Sequence, residues 1–377
     1  MAEKKLVKKT LQRTPLYEIQ KEAGAHFTSF GGWELPVHFG SSKDESLAVR
    51  QEGRSALFDA SHMGEFSLTG LGAEGFLDHM LTNRISGSKP GKCVYSPMCY
   101  ENGGTVDDLI VFRKSDDSFM IVVNASNTSK DWDWLRRHAK PGLDFNDLSE
   151  GTALLAVQGD TSLDILQSLS DTDLADMKFM SFRDNVDVAG IPTLVSRTGY
   201  TGADGFELYC DWDRAPELWQ ALMGAGKARG ITPAGLAARD VARIEAGLPL
   251  YGHELGENIS PLDAGLARFV KLGKQDFVGA RALRMRANPQ ALMGLTHQRG
   301  VPEREDGSVG VSCEGVEVGY VSSSCYSPSL DSRISMAFFR DSEYATPFTE
   351  VMLSGKDGRQ VPAEITALPF IDKDYKN

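Results

Sequence analysis

Along the first three quarters of the chain the apolar positions switch between a period of two and a period near 3.6, and in the last quarter only the period of two remains. Residues 65–69 alternate as a half-buried strand does, and 73–81 follow at helical spacing. Strands are predicted at 93–100, 105–113 and 119–124, joined by Glu101-Asn102-Gly103-Gly104 and Lys114-Ser115-Asp116-Asp117-Ser118. Such short connections make an antiparallel meander, because parallel neighbours need a crossover of about a dozen residues. A short apolar strand at 154–158 and a helix at 161–169 come next, and 191–198 pairs with 206–211 across Gly199-Tyr200-Thr201-Gly202-Ala203-Asp204-Gly205. Three glycines in seven residues mark a backbone that needs unusual torsions or close approach to something.

Two helices are predicted at 216–229 and 233–246. The second has Thr232 as N-cap, Pro233 at its first position and Gly247 just past its end, and Ala237, Val241, Ile244 and Leu248 form its apolar stripe. Arg239 lies roughly opposite that stripe, which predicts a solvated side chain unless another part of the chain covers it. From about residue 290 the pattern is strand and turn, at 292–297, 316–322, 333–339, 351–354 and 360–366, with a hairpin at Gly355-Lys356-Asp357-Gly358. A boundary near Asn288-Pro289 divides an α+β region, 11–287, from a small β-barrel or sandwich, 288–371.

Composition narrows the function. A chain of 377 residues, 41% apolar and 24% charged, is an ordinary globular protein with room for two or three domains. With 52 acidic residues against 40 Lys and Arg, its net charge of -12 repels phosphate backbones and anionic membranes, so neither nucleic acid nor membrane is the expected partner. A small molecule or a docking protein is. Cys93, Cys99, Cys210, Cys313 and Cys325 show no C-x-x-C pair and read as reduced core thiols; the seven histidines show no H-E-x-x-H, so no metal site is expected. No apolar run approaches the roughly 18 residues that span a bilayer. The N-terminus carries four lysines in its first nine residues and no apolar core of a secretory signal, leaving a frayed solvated end or a targeting remnant.

Three local patterns can carry chemistry. Gly70-Leu71-Gly72-Ala73-Glu74-Gly75 formally fits a dinucleotide fingerprint, but the strand before it alternates and the meander after it has the wrong topology, so a tight turn is the better reading. Asp107 and Asp108 sit side by side in an otherwise apolar strand and point to opposite faces, so either at least one enters a covered environment, where an unpaired carboxylate is costly, or both are turn residues at the strand's exposed start after Asn102-Gly103-Gly104. Periodicity does not choose between them. Tyr200 and Glu207 flank the Gly-rich hairpin, where a phenol and a carboxylate can grip a planar, hydrogen-bonding ring, although the segment on its own reads as a plain hairpin with a surface Glu. There is no G-x-S-x-G elbow and no P-loop.

Taken in order, Arg13-Thr14-Pro15-Leu16-Tyr17, Phe30-Gly31-Gly32-Trp33-Glu34-Leu35-Pro36-Val37, Phe58-Asp59-Ala60-Ser61-His62-Met63-Gly64, Asn102-Gly103-Gly104-Thr105-Val106-Asp107-Asp108-Leu109-Ile110-Val111, Gly199-Tyr200-Thr201-Gly202 and Arg243-Ile244-Glu245-Ala246-Gly247-Leu248 resemble the T-protein family, the aminomethyltransferases of the glycine cleavage system. The resemblance runs from about Arg13 to Phe370. It implies a three-lobed folate-binding fold of mixed and antiparallel sheets with a C-terminal β-barrel, and tetrahydrofolate as co-substrate. It also implies a lipoylated H-protein as partner, with functional links to the glycine decarboxylase and dihydrolipoyl dehydrogenase components. H-proteins of this family are typically acidic, so docking implies a local basic patch.

Matching positions imply Asp108 as an ionised catalytic carboxylate, Glu207 as holder of the pterin's guanidine-like edge, and Met63, Tyr95, Asn124, Tyr200 and Arg239 as lining of the folate site. The tail after Pro369-Phe370 lacks the Arg of bacterial members and is closer to eukaryotic ones, which adds Tyr375 to the site and implies a mitochondrial matrix setting, or a cytoplasmic one if the chain is bacterial. Related folate-dependent demethylases, and a non-catalytic folate-binding protein, are the alternatives.

Overall fold

The structure, a computed structural model, describes residues 10–274, 276–286, 289–300, 308–355 and 358–375. The basic N-terminal stretch, Asn288 of the expected boundary, and Lys356-Asp357 of the expected hairpin lie outside the described residues.

The meander forms as expected. Lys92–Cys99, Thr105–Arg113 and Ser118–Val123 pair antiparallel in chain order, and Gly64–Thr69 and Asp144–Asp147 extend them to a five-stranded sheet. On one face Phe66, Leu68, Val111, Phe119 and Ile121 pack with Leu77 of the helix Ala73–Met80 and Trp134 of the helix Thr128–His138. On the other, Phe112, Met120 and Val122 meet Leu154, Phe182, Leu194 and Tyr209 of a second sheet. Thr105–Arg113 is therefore covered on both faces, which is why its sequence is almost continuously apolar apart from its two aspartates.

The second sheet runs in the order Phe182–Val188, Ile191–Ser196, Gly205–Asp211, Thr152–Gly159, Ser55–Asp59, Ile231–Ala234. All its pairs are antiparallel except the last. Its far face packs on the helices Ser162–Gln167 and Ala215–Gly226. The tail closes into a barrel of six antiparallel strands: Ala291–His297, Ser332–Phe339, Val316–Ser327, Gly310–Cys313, Glu350–Ser354 and Gln360–Thr366. Gly310–Cys313, only four residues long, gives no readable alternation in the sequence.

The helix expected at 233–246 is shorter than its signals suggest. Ile231–Ala234 is instead the edge strand of the second sheet, and the helix is Leu236–Glu245 with Gly235 before it. Pro233 is tolerated because an edge strand has a row of N–H groups that need no ladder partner. Gly235 is required because a Cβ there would lie 2.4 Å from the Val37 carbonyl carbon. The expected stripe is also displaced: Ala238, Ala242, Ile244 and Glu245 are buried while Ala237 and Val241 are only partly so. The helix is wedged between the second sheet and the barrel, so small residues and paired charges occupy its covered faces.

Gly70 and Gly72 both have positive φ, and a Cβ on Gly70 would lie 2.4 Å from the Gly142 carbonyl oxygen. The G-x-G-x-x-G run is thus a tight turn packed on a neighbouring loop. All five cysteines are free thiols. Among the described residues no helix is long and apolar enough to cross a membrane.

Candidate active site

A cavity of about 770 Å³ opens where the two sheets, the barrel and the loops around 247–249 and 264–269 converge. Met63, Tyr95, Asp108, Asn124, Tyr200, Glu207, Arg239 and Tyr375 all line it, so the structure brings together every residue that the sequence singled out for the site.

The two adjacent aspartates part as strand geometry requires. Asp107 points away from the cavity and is fully buried. Its carboxylate accepts hydrogen bonds from the Asn124 backbone N–H (3.1 Å), the Asn124 Nδ2 (2.9 Å) and the Asn127 Nδ2 (2.7 Å). Asp108 is part-buried and faces the cavity, accepting from the Tyr95 hydroxyl at 3.0 Å and from the Asn124 Nδ2 at 3.0 Å. The choice that periodicity left open therefore falls on Asp108 as the carboxylate in reach of a ligand. Asn124, just past the end of its strand, bridges both carboxylates with one amide.

Burial pushes the Asp108 carboxyl up to about 7, with the neighbouring Asp107 charge acting in the same direction and the Tyr95 and Asn124 hydrogen bonds opposing. The group is thus poised between its two forms near neutrality rather than firmly ionised. A positive charge arriving beside it would favour the carboxylate.

Glu207 comes from the strand Gly205–Asp211, and its carboxylate accepts a hydrogen bond from the Thr198 hydroxyl. Burial raises it, while Thr198 and the Arg239 charge pull it back. Arg239 is not solvated: its guanidinium lies 4.9 Å from the centre of the Tyr200 ring and borders the cavity, the covered case that its position on the helix left open. The Tyr200 hydroxyl donates to the Pro249 carbonyl, which fixes the Gly-rich hairpin against the loop after the helix. Close approach also explains the hairpin's glycines, since a Cβ on Gly199 would lie 1.9 Å from the Gln158 Oε1.

Tyr375 stacks on Phe179 with ring centres 3.9 Å apart and planes 12° from parallel. Sequence reasoning did not single out Phe179, nor the cavity-lining cations Arg268 and Lys373. Burial and the neighbouring Arg268 lower the Lys373 ammonium to about 8. No local pattern marks any of the three; they come from loops that only the assembled fold brings to the rim. Asn127, whose N-x-S/T pattern is glycosylation-like, is buried against Asp107. Among the described residues no group of three or more His, Cys, Asp or Glu side chains is placed to hold a metal ion.

Comparison with known proteins places this geometry. The family model described as the GCVT N-terminal domain matches residues 16–274, and that of the glycine cleavage T-protein C-terminal barrel domain matches 290–372. The chain is 45% identical to an aminomethyltransferase of Anoxybacillus flavithermus and 43% identical to one of Halalkalibacterium halodurans, in each case over 96% of this chain and 98% of the relative. The crystal structure of glycine cleavage system aminomethyltransferase T from Bartonella henselae superposes with a TM-score of 0.88 at 30% identity, over 97% of this chain and 100% of the other.

Proposed function

The chain belongs to the glycine cleavage T-protein family of aminomethyltransferases, and from that membership we propose that Asp108 is its catalytic carboxylate, acting on tetrahydrofolate held in the central cavity. The protein is an aminomethyltransferase of the glycine cleavage system. Its reaction moves the methylene carbon from an aminomethyl-lipoyl arm on the H-protein to tetrahydrofolate, releasing ammonia and leaving the lipoyl arm as its reduced dithiol.

The cavity's residues fit a reduced folate. Its volume is in the range of small-molecule sites, about 300–1,000 Å³. Glu207 offers a carboxylate to the adjacent N–H donors of a pterin edge, a pairing that a bidentate acceptor suits. Tyr95, Tyr200 and Met63 supply aromatic and apolar surface for a flat ring. Arg268 and Lys373 put positive charge on the same cavity, matching the anionic tail of a folate. When bound, the folate supplies the attacking amine.

The chain's own residues do the rest. Loss of ammonia from an N–C–S unit builds positive charge on the transferred carbon, and the Asp108 carboxylate, held by Tyr95 and Asn124, is a fixed counter-charge for it. In its ionised form the same group can take a proton from the attacking amine. Enclosure by three structural units limits the water that would otherwise capture the carbon. The observation that carries the reading is the position of Asp108: a part-buried carboxyl on the cavity wall, held by two donors and titrating near neutrality.

The partner in this reading is the lipoylated H-protein, with the glycine decarboxylase and dihydrolipoyl dehydrogenase components linked through it. The relatives named above are bacterial, which gives no support to a mitochondrial setting and favours the cytoplasm. Incubation of the protein with aminomethylated H-protein and tetrahydrofolate tests the reading. Formation of methylenetetrahydrofolate and ammonia is expected, and folate binding without turnover would overturn it.

A further inference from the structure

Behind the wall that carries Asp108 lies a second buried acid. Asp131, on the first turn of the helix Thr128–His138, is fully buried and lies one helical turn after Asn127, whose Nδ2 holds Asp107, so the two carboxyls are neighbours on the same face. Its Oδ1 accepts from the Lys130 ammonium at 2.9 Å, whereas its Oδ2, also buried, meets no donor. Two ionised carboxylates in contact away from water repel strongly, so such a pair holds a proton between them. Asp107 already accepts from three N–H donors. The donorless Oδ2 of Asp131 is the atom left for the proton.

We propose that Asp131 is a positioning residue that stays protonated on Oδ2 and donates to Asp107, so that Asp107 holds Asn124, and through Asn124 Asp108, in its working pose. The inference rests on the assignment of Asp108 as the catalytic carboxylate. The chain of contacts is continuous: Asp131 to Asp107, Asp107 to the Asn124 amide, and that amide to Asp108.

The charged and titratable groups around this chain are few. Lys130 comes from the same helix as Asp131, with its ammonium 4.7 Å from the centre of the Tyr251 ring and donating to the Val106 carbonyl. Tyr100 and Tyr251 lie near Asp131 and Asp107, and Glu257 stands beyond them beside Tyr100. Tyr95 and Tyr200 face Asp108. With Asp131 neutral, Asp108 feels a single neighbouring negative charge rather than two. Burial and Asp107 raise Asp131 well above the ordinary aspartate range against the opposing pull of the Lys130 ammonium, in keeping with a retained proton.

An amide can replace a protonated carboxyl as donor, but not an ionised one as charge. Asp131→Ala should lower kcat about tenfold, the scale of one lost buried hydrogen bond, and Asp131→Asn should restore most of it with the acid limb of its pH profile on that of the native enzyme. A limb displaced downward by about one pH unit in the Asn variant would mean that an ionised neighbour had been removed, and would overturn the proposal. Infrared difference spectra of protein isotopically labelled only at aspartate give a readout independent of turnover. Above pH 8 the native protein should show a protonated-carboxyl band that Asp131→Asn loses. Asp131→Glu, whose side chain carries no label, serves if the amide variant does not fold. Identical spectra would sink the proposal whether or not Asp108 is catalytic, whereas an inactive protein with the expected band would instead fault the assignment of Asp108.

Discussion

Arg243 and Asp108 are both ionisable groups withdrawn from water, and the fold treats them in opposite ways. Arg243 is 1% exposed at the junction of the helix and the barrel. Its guanidinium donates to Glu254 at 2.8 Å, Asp240 at 2.7 Å and Ser323 at 2.8 Å, and Glu254 in turn accepts from Ser322, Ser323 and the Leu250 N–H. Burial opposes the guanidinium's charge, yet Tyr200, Glu254 and Asp240 hold it above its ordinary value. Asp108 has two neutral donors, a like charge next door and no cation bonded to it. A completed charge network holds parts together, while an uncompleted one keeps interaction energy available for a ligand.

The contrast is broken most severely at Arg243. Arg243→Met leaves Glu254 buried without its counter-ion and should cost about 3–5 kcal/mol of stability, read by chemical denaturation. A loss within 0.5 kcal/mol or so, the range of ordinary surface changes, would make the junction incidental. Asp108→Asn should act the other way, lowering kcat by two orders of magnitude or more, about 2.7 kcal/mol, with folate binding largely kept.

It should also raise the thermal midpoint above pH 7. The Asp108 carboxyl sits at about 7 in the folded protein, above its usual value of 3.8, so between those pH values the native state binds more protons than the unfolded one. Stability from this group is present below the unfolded value and lost as pH rises through the folded one. The Asn variant escapes that loss, and a lower midpoint at pH 8 would contradict the comparison. Turnover of the native enzyme should fall as pH drops below about 7, as the carboxylate takes up its proton.

Glu207→Gln sharpens the picture within the cavity. If Glu207 binds rather than reacts, affinity for tetrahydrofolate should fall by about 1.5–3 kcal/mol in a titration, the range for hydrogen bonds to a charged group, with kcat at saturation nearly unchanged. The smallest effect is expected at Tyr375. Replacing it with Ala removes a stacked pair on the rim worth about 0.5–1.5 kcal/mol, so KM should rise severalfold at most.

The meander, the strand-and-turn character of the tail and the Gly-rich hairpin were legible because each rests on local rules: alternation, connection length and glycine torsions. The start of the helix Leu236–Glu245 was not, because Thr232-Pro233 is a valid helix opening and an equally valid edge strand, and only pairing with Ser55–Asp59 decides. The cations Arg268 and Lys373 and the acid Asp131 escaped notice for a related reason. Nothing in a loop's or a helix turn's own sequence says which cavity or carboxylate it will meet.

The sequence by itself determined that two adjacent carboxylates would share a strand and leave it on opposite faces, because side chains alternate along any strand. It did not determine which of them would face a ligand. Tertiary structure decided that, by packing the helix Thr128–His138 and Asn127 behind Asp107 and leaving open space before Asp108. It also decided the proton affinity of Asp108, since that depends on burial and on charges brought near by the fold, and neither quantity is encoded at a single position.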